Sequence, residues 1–296
     1  MSGIFFRAWL GVVLHVALPA ATSLCYDSPE GRAAMVRDPA FDRYIGIDYS
    51  GAETPTSSLK GLRVYEAAPA VPPYEVHPPP SPRKYWTRRG IHEWLTDRLS
   101  EDRPTLVGID HAFSFPLVYF EKYGLPLGWT AFLEDFCRHW PTDGDHVYVD
   151  FVRYGSVGNG VSRSGDPRWR RLAETRTRAK SVFHFDVQGS VAKSTHAGLP
   201  WLFRLRLRFG GRLHFWPFDG WEVPEGKSAV VEVYPALWNQ GLAQAGCDSH
   251  QRDAHSIMAW MRQAECNGSL AAYLNPRLEE TERKTAEIEG WILGVA

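Results

Sequence analysis

A chain of 296 residues, 44% hydrophobic and 23% charged, has room for one large α/β domain or two small ones and is too apolar to be a disordered tail. A formal net charge of −1 excludes a polyanion binder that works through bulk charge, so any affinity for nucleic acid has to come from a local surplus. The four cysteines, Cys25, Cys137, Cys247 and Cys266, form no Cys-x-x-Cys pair and no zinc-like spacing, which argues for small buried residues or free thiols and against a disulfide framework.

In chain order, Arg7 precedes an apolar run from Ala8 to Ala21, and small residues follow at Ala21-Thr22-Ser23, a pattern like a secretory signal. The run is short for a membrane span and His15 interrupts it, so no stable span is expected. Met35 lies just before the first predicted strand, and a chain starting there would lose nothing of the fold. Residues 1–34 are therefore read as an upstream extension on a cytoplasmic protein, with export as the alternative if residues 1–25 are a real signal.

Strands are expected over Arg43–Asp48 and Gly61–Ala67. The segment Pro69–Pro82 is proline-rich and is expected to be extended, outside any regular element. Apolar spacing predicts a helix over Arg88–Ser100, a strand over Thr105–Asp110 and a helix over Leu127–His139. Tyr148–Val152 reads as a short strand, and Gly155–Asp166 as a glycine- and serine-rich mobile loop. Leu199–Phe209 is a predicted helix, Leu213–Trp216 and Ala229–Tyr234 are strands, and Ser249–Cys266 and Glu279–Gly290 are helices. The sum is an α/β chain: a mixed central sheet flanked by helices over residues 43–296, with an irregular basic insertion around 144–198.

Two apolar runs end alike, Tyr44-Ile45-Gly46-Ile47-Asp48 and Leu106-Val107-Gly108-Ile109-Asp110. A third run carries Glu232 near its end, and Asp253 opens an apolar helical stretch. A buried carboxylate without a partner is costly, and strand ends of open α/β sheets are where ligands bind. Convergence of the four acids would make a site for hard divalent cations, Mg2+ or Mn2+, which prefer oxygen ligands, and crowding would raise at least one carboxyl pKa. Each acid also has an ordinary role open to it. Asp48 and Asp110 suit turns, Glu232 could pair with an arginine, and Asp253 could cap its helix.

These residues, together with Phe115-Pro116, Glu232-Val233-Tyr234-Pro235, Asp253-Ala254 and the closing Glu289-Gly290-Trp291-Ile292-Leu293-Gly294-Val295, give a chain that resembles the ribonuclease H-like superfamily from about Arg43 to Val295. More narrowly, it looks like the predicted nucleases grouped as domain of unknown function family 429. The resemblance implies a metal-dependent phosphodiesterase with Asp48 as the central metal bridge, Asp110 and Glu232 as ligands from adjacent strands, and Asp253 as the helix ligand. Relatives of this kind often carry a second aspartate one turn further along the late helix. Here no acid stands there, and His255 or Asp248 are the candidates to replace it.

The basic insertion supplies a second expectation. Arg168, Arg170, Arg171, Arg176, Arg178, Lys180 and Lys193, with Tyr154 and Trp169 among them, suit a phosphate backbone with unstacked bases, DNA or RNA; the alternative is a solvated charged loop. Gln188–Thr195 lacks the glycine spacing of a phosphate loop, and His184, His196 and His214 are not at metal-binding spacing. Two other functions remain open: a non-catalytic protein that binds nucleic acid or a partner through the same cleft, and an actin-like nucleotide-dependent phosphotransferase.

Overall fold

The computed structural model describes residues 40–79, 84–238 and 247–295; the signal-like segment and Cys25 lie outside the described residues. Six strands form one sheet: β1 (Arg43–Asp48), β2 (Arg63–Ala68), β3 (Val71–Glu75), β4 (Thr105–Asp110), β5 (Leu213–Phe215) and β6 (Ser228–Glu232), in the order β3-β2-β1-β4-β6-β5. β2 runs antiparallel to β1 and β3, while β1, β4, β6 and β5 are mutually parallel. β1 lies in the middle of the sheet, and all six of its residues are buried.

Helices cover both faces, and strand alternation decides which side chain meets which layer. Ile45, Ile47, Val107, Ile109 and Val230 point into one core, with α1 (Arg88–Ser100), α3 (Trp129–His139) and α6 (Ala192–Phe209). Tyr44, Leu106 and Val231 point into the other, against α7 (Ser249–Cys266). Between these elements the chain forms α2 (Leu117–Tyr123), α4 (Val149–Arg153), α5 (Leu172–Thr177), α8 (Leu270–Leu274) and α9 (Glu280–Glu289). No helix among the described residues is long and apolar enough to cross a membrane. Cys137, Cys247 and Cys266 form no disulfide among the described residues.

α7 lies unusually close to the sheet because two strand residues have no side chain. Gly46 and Gly108 are register partners on β1 and β4. A methyl group on Gly46 would strike the Ala254 carbonyl and stand 2.8 Å from the Met258 nitrogen; one on Gly108 would stand 2.7 Å from Ile257 Cγ2.

Several elements differ from expectation. α6 begins at Ala192, seven residues before the expected start at Leu199. Val71–Glu75 pairs with β2 despite Pro72 and Pro73, which the outer position allows because the free edge needs no donors there. Tyr148–Val152 is not a strand: Val149–Arg153 is one helical turn that buries Val149 and Val152. Within Gly155–Asp166 a 3-10 turn occupies Gly160–Arg163, and the rest is irregular.

Candidate acidic site at the strand ends

Asp48 and Asp110 close β1 and β4 as direct register partners, so two carboxylates sit on adjacent parallel strands roughly 4.8 Å apart. Each lies two residues beyond its glycine, and so on the face toward α7. The close approach of α7 brings its first turns to the same place. His250 Nδ1 stands 2.7 Å from Asp48 Oδ2, and the negative charge of Asp253 acts on both aspartates.

Burial holds Asp48 above its ordinary pKa; the bond and charge of His250 pull down, while Asp253 and Asp248 push up. The same bond to Asp48 raises the His250 imidazole above its usual value. Asp110 is the extreme member. Burial first, then the fields of Asp48, Asp253 and Glu232, hold its carboxyl well above the usual range. Among the described residues its side chain makes no hydrogen bond and no ion pair to offset this. It opens into a small recess whose lining includes Arg171, Glu174 and Glu232 as well as Lys180, Val191 and Tyr234.

Glu232 lines the same recess but is engaged by another group. Its register partner is Ile109, not Asp110, so it points to the opposite face of the sheet, where Ile109 and Val230 point. There both of its oxygens are held by Arg171, at 2.6 and 2.7 Å, and one also accepts the Phe113 amide at 3.1 Å. The expectation that Glu232 is a free metal ligand is thus corrected: it is one half of a buried ion pair. Arg171 is corrected with it. At 1% exposure, and bonded to Glu174 as well, it presents nothing to a nucleic acid.

The closing motif supports this pair. Glu289 accepts the amides of Leu117 and Leu172, each at 2.6 Å, at the starts of α2 and α5. Its own carbonyl accepts from Arg171 at 3.1 Å. Gly290, at φ +81°, passes 3.7 Å from Glu232 Oε2 when measured from where a Cβ would stand. Ile292 then bridges to Glu232 beside β6, and the Leu293 amide bonds the Glu232 carbonyl at 2.9 Å. Glu289–Val295 is therefore scaffolding for the Glu232–Arg171 pair.

The two proposed stand-ins on the late helix are otherwise engaged. Asp248 caps α7 and pairs with Arg63 at 3.0 Å, and the His255 ring packs edge-on against Tyr65. His250, which periodicity alone does not single out, is the α7 residue that reaches Asp48. His196 and His214 are packed, bonded to the carbonyls of Ala192 and Gly220.

The other basic candidates divide. Arg168 is exposed and paired with Asp166, Arg176 pairs with Glu282 at 2.6 Å, and Lys193 pairs with Asp150 at 2.6 Å. Arg170 bonds the Ala179 carbonyl, Lys180 bonds the Gln188 carbonyl, and Arg178 sits in the left-handed region at φ 57°.

Asp48, Asp110 and Asp253 offer the hard oxygen donors a divalent cation takes, and the unpartnered Asp110 is the group such a cation would satisfy. Among the described residues, no three His, Cys, Asp or Glu side chains are grouped so as to hold a metal ion. No protein-family model, no curated protein and no solved structure matches this chain.

Proposed function

We propose that this protein is a metal-dependent phosphodiesterase of ribonuclease H-like fold that hydrolyses a nucleic-acid backbone. One observation carries the reading: Asp110 is a carboxylate without a counter-ion, placed at a strand end beside Asp48 and within the field of Asp253. A structural acid in that position would be expected to have an arginine, as Glu232 does. The arrangement also agrees with the resemblance drawn from the sequence: an acid ending the central strand, another on its neighbour, and a third on a late helix.

Mg2+ or Mn2+, when bound, would supply a water of lowered pKa and positive charge for the reacting phosphate. Asp48, Asp110 and Asp253 are the residues that would hold it, with His250 fixing the Asp48 carboxylate. Arg171 keeps Glu232 in place on the opposite face of the sheet. Lys180, at the rim of the Asp110 recess, is placed to attract a phosphate.

The test is cleavage of single- and double-stranded DNA and RNA in Mn2+. Wild type is expected to cut, and Asp48→Asn and Asp110→Asn to lose at least about 100-fold, roughly 2.7 kcal/mol of barrier lowering. Cleavage that survives either substitution, or that continues in EDTA, overturns the reading. The non-catalytic alternative draws on the engagement of Glu232, which leaves one acid fewer at the site than the sequence suggests; it predicts oligonucleotide binding with no turnover in any divalent metal.

A further inference from the structure

We propose that an exposed aromatic ridge on the basic insertion is the platform on which unstacked bases of a single-stranded nucleic acid lie as the strand reaches the acid pair. The inference rests on the phosphodiesterase reading and adds the substrate class.

Phe151, Tyr154, Val157 and Val161 are all exposed, Tyr154 by 68%, and they fall within one short stretch of the insertion. Soluble surfaces seldom gather large apolar side chains in this way without a ligand. Local folding explains the display. The single turn of α4 buries Val149 and Val152, which leaves Phe151 and Tyr154 outward. Val161, on the following 3-10 turn, returns beside Gly155, and the Tyr148 ring packs 4.1 Å from Phe151. Arg153 fixes the near end: its guanidinium lies over both Tyr154 and Phe185 and is held by both oxygens of Asp186.

The ridge adjoins the acid site. Asp150, in the same turn, grips Lys193 at 2.6 Å, and the Lys193 carbonyl lies against Gly51, three residues beyond Asp48. Val191, two residues before Lys193, lines the Asp110 recess together with Lys180. A strand stacked on Tyr154 and Phe151 would thus cross the start of α6 and arrive at Asp48 and Asp110, with Lys180 beyond.

Charge selects nucleic acid as the occupant. Residues 144–198 carry nine Lys and Arg against five Asp and Glu, in a chain whose net charge is −1. Arg170, Arg178 and Lys180 make no ion pair among the described residues. A phosphate backbone supplies the missing negative charge, and free bases supply flat faces for the rings. A duplex keeps its bases stacked inside and has no use for the ridge.

The experiment is fluorescence anisotropy with dye-labelled oligothymidylate, oligouridylate and a duplex, in EDTA so that nothing is cleaved. The full chain is expected to prefer the single strands. Tyr154→Ala should weaken that binding about 10-fold, Tyr154→Trp should restore it, and both variants should melt as wild type because the residue is exposed. Leu207→Ala, at an exposed apolar residue elsewhere, should change nothing. Unchanged affinity in Tyr154→Ala and Phe151→Ala overturns the platform, as does equal binding of duplex or a substitution effect confined to self-association in sedimentation. The two readings fail separately. Cleavage without ridge dependence removes the platform alone, and ridge-dependent binding without cleavage in Mn2+ removes the phosphodiesterase alone.

Discussion

Asp110 gives the site a measurable pH signature. Its folded carboxyl holds a proton more tightly than the same group in the unfolded chain. The contribution of Asp110 to stability is therefore greatest below the ordinary carboxylate range and falls as pH rises through that range toward the elevated value. Asp110→Asn removes the ionisation, so urea midpoints in EDTA are expected to decline less between acidic and neutral pH than in wild type, with the variant the more stable of the two at neutrality. Mn2+ should reverse the order. On the proposed metal reading, Mn2+ at 100 times its Kd is expected to stabilise the wild type by about 2.7 kcal/mol and Asp110→Asn by less, read as a shift in thermal midpoint. Arg171 makes the opposite case. Arg171→Met strands Glu232 and Glu174 without their cation, an expected loss of about 3–5 kcal/mol in urea denaturation, and Arg171→Met combined with Glu232→Gln should recover much of it. Asp48 and Asp110 were legible as the ends of neighbouring strands because each closes a β-branched run. The Glu232–Arg171 pair was not, since its members are 61 residues apart and sequence gives no register between β4 and β6.

Among the elements, two helices with clear caps match expectation to the residue. Arg88–Ser100 starts at Thr87, whose side chain accepts from Gly90, and Ser249–Cys266 starts at Asp248 with a reciprocal bond to Gln251. Short elements escaped. α2, α5 and α8 are too brief to show a periodicity, and α4 is a single turn whose two buried valines, three apart, are too few to mark a helix among β-branched and aromatic neighbours. The glycines of the paired Gly-Ile-Asp runs set the height of α7 above the sheet, a role a motif reading does not supply. Gly46→Ala is expected to cost about 1–3 kcal/mol in urea denaturation, because the obstacle is helix backbone that cannot rotate away. The same change should weaken Mn2+ binding in calorimetry, since His250 and Asp253 ride on the displaced helix.

For the whole molecule, the mixed sheet with helices on both faces was legible from the alternation of strand and helix signals. The route of the basic insertion was not. Its charges found carboxylates far away in sequence: Arg176 on Glu282, Arg153 on Asp186, Arg163 on Asp135. Only part of the surplus counted along the chain therefore faces outward, and salt should weaken oligonucleotide binding by fewer counterions than nine basic residues imply. A log–log plot of affinity against salt is expected to slope well short of that number.

The seam between β6 and Glu289–Val295 bears on how the protein comes into being. Asp48 leaves the ribosome early and Ile292 late, yet Glu232 takes its edge partner from Ile292 and two helix starts take their acceptor from Glu289. A nascent chain halted before Glu289 would leave Arg171 and Glu232 half-enclosed and the amides of Leu117 and Leu172 without a carboxylate. Removal of residues 289–295 is therefore expected to lower the urea midpoint through the buried ion pair and through both helix starts at once.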